Sequence, residues 1–218
     1  MTGLIVALDT ADIAEARRWA DAVAPSCGMI KLGLQFFAAN GPDGVRALGG
    51  GRKIFLDLKL HDIPNTVGRA VSALLPLRPR LLTVHAAGKA AMIETARAAM
   101  EPARGARPLL LAVTVLTSIE STSSEVLRRA EMAMAAGADG VVCSGHEVRA
   151  VRKALGADPV ILVPAVRPAG AAADDQARTV TPREATAAGA DWIVVGRPIT
   201  RAVDPAAAAA AIAAEIAG

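Results

Sequence analysis

The sequence has little of what nucleic-acid binding or disulfide stabilisation requires. It contains no Tyr, two Trp and three Phe, which leaves little aromatic surface on which bases could stack. The formal net charge is only +3, so a nucleic-acid partner is not expected despite a pI near 9.2. Cys27 and Cys143 lie far apart beside apolar residues, which is typical of small buried side chains rather than of a disulfide or metal pair. These absences favour a reduced, cytoplasmic chain.

No apolar run is long enough for export or for membrane insertion. The N-terminus enters a short apolar run at residues 4–8 without the basic flank of a signal peptide. The Ala-rich tail at residues 206–214 is shorter than a membrane span and is interrupted at Glu215. It predicts a C-terminal helix capped by Asp204-Pro205. We therefore expect no membrane partner.

Short apolar runs suited to buried parallel strands recur along the whole chain. They cover residues 4–8, 29–33, 53–57, 81–85, 109–115, 139–143, 160–164 and 192–196. Most gaps between them are rich in Ala, Arg, Glu and Leu and predict helices, for example at residues 11–23, 65–77, 123–136 and 144–155. Eight strand-helix units without a linker predict a single (β/α)8 TIM-barrel domain over residues 1–218. A doubly wound open sheet is the alternative, but the first strand lacks its Gly-rich turn.

Polar side chains cluster at the carboxyl ends of the predicted strands. In a barrel these positions converge on one face, and charge inside an apolar barrel is costly. A polar ligand therefore explains the cluster better than packing does, the alternative being a set of exposed loop charges. The cluster comprises Asp9, Lys31, Asp57, Lys59, His85, Arg167 and Arg197.

The segment DLKLHDIPNT, which follows the third predicted strand, is the most informative one. Residues two apart on a strand face the same side, so Asp57 and Lys59 should point together. Pro64 disfavours helix before it, and Asn65 or Thr66 could cap the helix that follows. A salt bridge that closes the barrel mouth is the structural alternative for this segment.

The segment and several others resemble the orotidine 5'-phosphate decarboxylase family. The pattern Asp-x-Lys-x-x-Asp-Ile-Pro-x-Thr is specific, and the other motifs follow in the family's order. These are VALD at 6–9, IKLG at 30–33, TVLTS at 114–118, Arg167-Pro168, Gln176 and VGRP at 195–198. The resemblance implies a homodimeric barrel that converts orotidine 5'-phosphate to uridine 5'-phosphate in de novo pyrimidine biosynthesis, with no metal ion or cofactor.

The resemblance also implies roles for individual residues. Lys59 would be the proton donor to C6 of the substrate, in a catalytic group that comprises Lys59, Asp57, Asp62 and Lys31. Asp62 and Thr66 would reach the neighbouring subunit's site. Substrate binding would involve Asp9, Lys31, Thr66, Thr117, Arg167, Gln176, Gly196 and Arg197.

Within that substrate-binding set, Asp9 and Lys31 match positions that contact the ribose, although a plain interstrand ion pair is the alternative for them. Thr117 matches a pyrimidine contact that Ser118 could share. The last four positions match residues that bind the substrate's phosphate, which agrees with the phosphate sites that barrels commonly form after strands seven and eight. They are Arg167, Gln176, Gly196 and Arg197. Residues 168–181, loop-like and containing Gln176, are the candidate lid.

Two positions depart from the family's usual pattern. Ala165 precedes Val166 where Gly-Ile is typical, and Ala87-Gly88-Lys89 stands where a paired glycine is usual. Both changes concern loop backbone near the site. His85 lies at a strand end without a nearby nucleophile, so we expect a packed or hydrogen-bonded histidine rather than a catalytic one.

Two other functions would share much of this pattern. A magnesium-dependent sugar-phosphate decarboxylase or aldolase of the same barrel superfamily would have an acidic ligand near the end of the second strand, where this chain has Lys31. A non-catalytic barrel that binds nucleotide phosphate would retain Arg197 and Gln176 but has no need for Asp57, Lys59 and Asp62 together. A measurement of substrate turnover would distinguish this non-catalytic barrel from an enzyme.

Overall fold

The computed structural model describes residues 2–101, 107–168 and 179–218, and their strands form a closed parallel barrel. Each strand pairs with its neighbours in the chain, and the first pairs with the last, so the barrel has no open edge. The strands are β1 Gly3–Ala7, β2 Met29–Gly33, β3 Ile54–Leu60, β4 Leu81–His85, β5 Leu109–Val113, β6 Gly140–Val142, β7 Val160–Val163 and β8 Trp192–Val195. The predicted (β/α)8 barrel is confirmed, and the open-sheet alternative is wrong.

Helices follow the strands and cover the outside of the barrel. In the described ranges they are α1 Ile13–Val23, α2 Leu34–Gly49, α3 Pro64–Leu74, α4 Lys89–Ala98, α5 Ser123–Ala135, α6 Val148–Leu155, α7 Pro182–Ala188, α8 Arg197–Thr200 and α9 Pro205–Ala217. Helix α2 is kinked at Gly41, which has φ 57° and ψ −159° and precedes Pro42. The C-terminal helix begins as predicted, because the Asp204 carboxylate accepts hydrogen bonds from the first free N–H groups of α9.

The start of α3 differs from its prediction. The helix begins at Pro64, so Asn65 and Thr66 lie in its first turn and neither caps it. Ile63 occupies the capping position with extended backbone and no side-chain hydrogen bond. Proline suits the first helical position because its missing N–H would have no partner there in any case. The proline thus fixes the start of the helix without a polar cap.

The core consists of two apolar layers. Side chains such as Ile5, Phe55 and Leu111 point into the barrel and form the inner layer. The opposite faces of the strands pack against the helices and form the larger cluster. Cys143 belongs to that outer cluster, and burial beside Glu147 raises its thiol pKa to about 12. The predicted small buried side chain is confirmed for Cys143, whereas Cys27 is only partly buried; both thiols are free.

None of the helices in the described ranges is long and apolar enough to cross a membrane.

Candidate active site

A cavity of about 370 Å³ opens at the carboxyl ends of the barrel strands. Its walls are apolar in part, with Phe55, Val142 and Leu162 among the side chains that line it. The polar lining residues are Asp9, Lys31, Asp57, Lys59, Thr117, Ser118, Arg167 and Arg197. All but Ser118 come from the predicted site, and Thr117 and Ser118, the two candidates for the pyrimidine contact, both line the cavity.

Four of these side chains form a line of alternating charge, here called the charge array: Asp9, Lys31, Asp57 and Lys59. The Lys31 ammonium lies between two carboxylates, with its Nζ 3.2 Å from Asp9 Oδ1 and 3.4 Å from Asp57 Oδ2. The Lys59 ammonium donates a hydrogen bond to the same Asp57 Oδ2 at 2.8 Å. Asp57 thus presents one oxygen to two ammonium groups.

Strand geometry explains why the charge array forms at the carboxyl ends of the strands. The inward positions of β1 to β3 are apolar in the middle of the barrel and become charged at the carboxyl ends. Gly33, at the end of β2, leaves room for the pair between the first two members. A Cβ there would lie 3.1 Å from Lys31 Nζ and 3.3 Å from Asp9 Oδ1.

The charged forms of the buried members stabilise each other. Burial alone would raise the pKa of Asp57, but the positive charges of Lys31 and Lys59 and a hydrogen bond from Thr83 lower it below its usual value. Burial would likewise lower the pKa of Lys31, but Asp57 and Asp9 raise it above its usual value. The pairing therefore keeps both groups ionised inside the protein.

Thr83 is a contact of the charge array that the sequence analysis missed. Its side chain is fully buried in β4, and its Oγ1 is 3.0 Å from Asp57 Oδ1 and 2.9 Å from the Lys59 backbone N. The available signal was a single hydroxyl residue in the otherwise apolar run Leu-Leu-Thr-Val. Pattern reasoning passed over it because a buried threonine in a strand is usually a packing residue.

His85 is packed and hydrogen-bonded, as the sequence predicts. Its Nδ1 accepts a hydrogen bond from the Ala87 backbone N–H at 3.1 Å, and its ring stacks on His61 with centroids 5.4 Å apart. Burial, together with His61, Arg129 and Lys59, lowers the pKa of His85. The neutral ring therefore suits this position.

Three of the four predicted phosphate positions, Arg167, Gly196 and Arg197, line the cavity on its β7 and β8 side. Arg167 is buried, and its backbone N–H donates to the Val180 carbonyl at 2.9 Å. Gly196 and Arg197, at the start of α8, line the cavity beside the end of β8. Gln176 and most of the candidate lid at 168–181 lie outside the described residues.

Asp62 and Thr66 do not line the cavity of their own chain. Both are exposed on the turn and first helical residues after β3. The Asp62 carboxylate accepts a hydrogen bond from the Ile63 backbone N–H at 2.7 Å, and the Ile63 side chain is 65% exposed. This chain alone therefore brings neither residue to the charge array.

Both departures from the family pattern fall on residues with left-handed backbone. Ala165 has φ 59°, and Lys89 has φ 65°. Glycine adopts such angles without strain, whereas a residue with a Cβ does not. The usual glycines thus have a physical reason at these positions, and this chain retains the conformation without them.

The chain is similar to known proteins over nearly its whole length. Residues 2–212 match the family model described as orotidine 5'-phosphate decarboxylase / HUMPS family. The chain is 52% identical to the orotidine 5'-phosphate decarboxylase of Gluconobacter oxydans, covering 99% of this chain and 98% of that protein. It is 53% identical to the one from Anaeromyxobacter sp. (strain K), covering 97% and 96%. The crystal structure of orotidine 5'-phosphate decarboxylase from Lactobacillus acidophilus matches with a TM-score of 0.88 and 38% identity over 100% of both chains.

Proposed function

This chain belongs to the orotidine 5'-phosphate decarboxylase / HUMPS family, and from that premise we propose that it converts orotidine 5'-phosphate to uridine 5'-phosphate. Its curated relatives at about half identity carry the same decarboxylase name. The activity is that of a carboxy-lyase, and its place is in pyrimidine biosynthesis. We treat residues 1–218 as one domain, which the pairing of the first strand with the last supports. The cytoplasmic location stays a prediction.

The charge array at the mouth of the barrel carries this proposal. Decarboxylation breaks the bond between C6 and the carboxylate carbon and leaves the electron pair on C6, in the plane of the ring. The π system cannot delocalise that pair, so the protein must stabilise it electrostatically. Fixed charges suit this task because they need little reorganisation as charge moves in the reaction.

Lys59 is the proposed proton donor. Its ammonium lies at one end of the charge array and is partly exposed to the cavity, with 34% of the side chain accessible. As carbon dioxide leaves, Nζ stabilises the developing negative charge and then transfers a proton to C6, which gives uridine 5'-phosphate. The neutral amine regains its proton from solvent.

Asp57 and Lys31 hold that ammonium in place. The hydrogen bond to Asp57 Oδ2 orients Lys59, and Lys31 keeps Asp57 ionised by lying 3.4 Å from the same oxygen. The Asp57 carboxylate is also proposed to crowd the substrate carboxylate, a stress that would be relieved when carbon dioxide departs. Preorganised charge is the main effect, since enzymes lower barriers by roughly 8–23 kcal/mol and one ion pair supplies far less.

The phosphate group is proposed to bind at Arg167 and Arg197, which line the cavity beyond the carboxyl ends of β7 and β8. Guanidinium groups match phosphate oxygens in geometry and charge. Ribose hydroxyls would lie near Asp9 and Lys31, and the pyrimidine near Thr117 or Ser118. Binding energy from the phosphate can then fix the reacting ring against Lys59. Gly196 and Gln176 complete the set of residues proposed to bind the phosphate.

A homodimer is part of the proposal. The family resemblance implies that Asp62 and Thr66 reach the partner subunit's site, and their exposure outside their own chain's cavity supports that assignment. The exposed Ile63 beside Asp62 supplies apolar surface at the same turn. In the dimer, the Asp62 carboxylate would add a third acid to the partner's charge array, beside Asp9 and Asp57.

We further propose that the reaction needs no metal ion. The carboxylates of Asp9 and Asp57 are both paired with Lys31, so the positions that a divalent cation would occupy hold an ammonium group. The magnesium-dependent rivals require a carboxylate near Lys31, at the end of the second strand. This donor set favours the metal-independent chemistry.

Turnover under chelation tests the proposal. Purified protein is mixed with orotidine 5'-phosphate in excess EDTA, and the change of pyrimidine absorbance is followed with time. We expect the same rate with and without EDTA. Loss of the rate in EDTA and its recovery with Mg²⁺ would refute metal independence. A protein that binds uridine 5'-phosphate but turns over no substrate in either condition would instead be a nucleotide-binding barrel.

A further inference from the structure

We propose that Thr83 is a positioning residue of the decarboxylation, holding both Asp57 and the Lys59 backbone through one hydroxyl group. The inference rests on the proposed function. Thr83 is fully buried and does not line the cavity, so it cannot contact the substrate. It acts through the two charge-array residues that it contacts.

The direction of both hydrogen bonds follows from the donors present. The Lys59 backbone N–H can only donate, so Thr83 Oγ1 accepts that bond, at 2.9 Å. The single hydroxyl proton is then available for Asp57 Oδ1, 3.0 Å away. With Oδ1 occupied by Thr83, the other oxygen, Oδ2, faces the Lys31 and Lys59 ammonium groups. The hydroxyl thus fixes the rotation of the carboxylate.

Thr83 also stands at the point where β3 departs from regular pairing. Leu56 pairs with Leu82, but the next paired residue of β3 is Leu60, opposite Val84. Three residues of β3 therefore lie opposite Thr83 alone, which is a β-bulge. The extra length extends β3 to Leu60, beyond its predicted end, and brings Lys59 to the cavity.

The bulge requires an unusual backbone at Lys59, which has φ 48°. A residue with a Cβ is strained in this left-handed region and persists there only when its surroundings hold it. The Lys59 backbone N–H donates a hydrogen bond to Thr83, and this bond links the strained peptide to the neighbouring strand β4. One hydroxyl therefore sets the position of the proposed proton donor and of the acid that orients it.

Removal of the hydroxyl should lower kcat with little effect on ligand affinity. Thr83→Val retains the branched shape and deletes both hydrogen bonds. We expect kcat to fall about tenfold to hundredfold, as loss of a hydrogen bond to a charged group does, while the inhibition constant for uridine 5'-phosphate stays within about threefold. A residue that only packs would not separate kcat from affinity in this way.

Conservative rescue and a matched control make the test specific. Thr83→Ser retains the hydroxyl and should keep kcat within about threefold of the wild type, whereas Thr83→Ala should lose as much as the valine variant. Thr114→Val is the control, because Thr114 is equally buried at the end of β5 but donates only to the Val142 carbonyl, at 3.0 Å. It should lose stability without the fall in kcat.

The outcomes separate this inference from the proposed function. A wild-type protein without decarboxylase activity would refute the proposed function itself. An active wild type with an unchanged kcat in Thr83→Val, a serine variant as impaired as the alanine variant, or an equal loss in Thr114→Val would each overturn the positioning role alone. If Thr83→Val does not fold, the comparison of Thr83→Ser with Thr83→Ala decides the question.

Discussion

At the scale of single residues, the Lys59 ammonium combines a fixed position with access to the cavity. It is held by Asp57 on one side, and a third of its side chain remains exposed on the other. A group that acts on charge formed during the reaction contributes more to the transition state than to binding of the ground state. Lys59 should therefore matter for turnover much more than for affinity.

We predict that Lys59→Ala abolishes measurable turnover while appreciable affinity for uridine 5'-phosphate remains. Single-turnover kinetics measure the first effect, and titration calorimetry with uridine 5'-phosphate measures the second. The control is Lys153→Ala, an exposed helical lysine far along the chain in α6, which should behave as the wild type. Near-normal turnover in Lys59→Ala would rule out its role as proton donor.

Lys89 shows a different residue-scale effect, a strained backbone outside the charge array. Its φ of 65° and ψ of 179° lie in a region that only glycine adopts readily. We predict that Lys89→Gly stabilises the protein by about 1 kcal/mol, because relief of strain exceeds the entropy cost of glycine. Lys153→Gly, an exposed lysine within regular helix, should instead destabilise it by about 1 kcal/mol.

Urea unfolding of the two glycine variants measures both changes. Both substitutions remove one exposed lysine, so their difference reports the backbone and not the charge. Equal destabilisation of the two variants would show that the left-handed conformation at Lys89 costs the protein nothing.

Residue identity predicted the members of the charge array but not the contact that orients them. Asp57 and Lys59 were visible because charge at a strand end is costly without a function. Thr83 was not, because a hydroxyl is inexpensive in a strand and its partner is defined only by the register of β3 against β4. The strain at Lys89 and Ala165 has no signal in composition or periodicity, and only the departure from the family's glycines pointed to it.

At the scale of elements, the register of the barrel strands depends on close approach at a few positions. Gly140 in β6 lies between Leu111 of β5 and Val160 of β7. A Cβ at Gly140 would lie 2.1 Å from the Val160 carbonyl oxygen, well inside contact distance. Because that atom belongs to the backbone, the strands would have to separate.

We predict that Gly140→Ala destabilises the barrel by about 1–3 kcal/mol, the usual cost of overpacking. Gly49→Ala is the matched control, since a Cβ at the last residue of α2 would meet no atom within 4 Å. Alanine there should be neutral or stabilise by about 0.5–1 kcal/mol. Urea unfolding midpoints measure both, and equal midpoints for the two variants would contradict the close approach of β6 and β7.

Element types were easier to predict than element ends. The eight strand positions follow from apolar runs of five to seven residues, and the structure confirms each of them within a few residues. The predicted end of β3 was three residues too early, because the bulge opposite Thr83 depends on the pairing of β3 with β4 and not on the local sequence. The predicted polar cap of α3 was wrong because the helix begins at Pro64, with Ile63 at the capping position.

At the scale of the whole molecule, one barrel holds most of the proposed site but not all of it. The charge array and the two arginines proposed to bind phosphate, Arg167 and Arg197, line a single cavity. Asp62 and Thr66 stay outside it on an exposed turn. Sequence periodicity predicts the barrel, whereas a site shared between two chains leaves no periodic signal, and its prediction rests on the family resemblance.

Mixing two inactive variants tests whether the site is shared. Lys59→Ala removes the proposed proton donor, and Asp62→Ala removes the acid proposed to act in the partner. Neither variant alone should be highly active. When they are unfolded and refolded together, a hybrid dimer contains one site with both the intact Lys59 of one chain and the intact Asp62 of the other.

Random pairing makes about half of the dimers hybrids, and one of the two sites in each hybrid is whole, so roughly a quarter of all sites should be native in composition. Activity should therefore rise well above that of either parent and approach about a quarter of the wild-type value. If Asp62 instead served its own chain, every site in the hybrid would lack one essential group and mixing would recover nothing. Native mass spectrometry establishes that hybrids have formed, so a lack of recovery in their presence would refute the shared site. Because Asp57 and Lys59 pair within one chain, that result would leave the chemistry proposed for them intact.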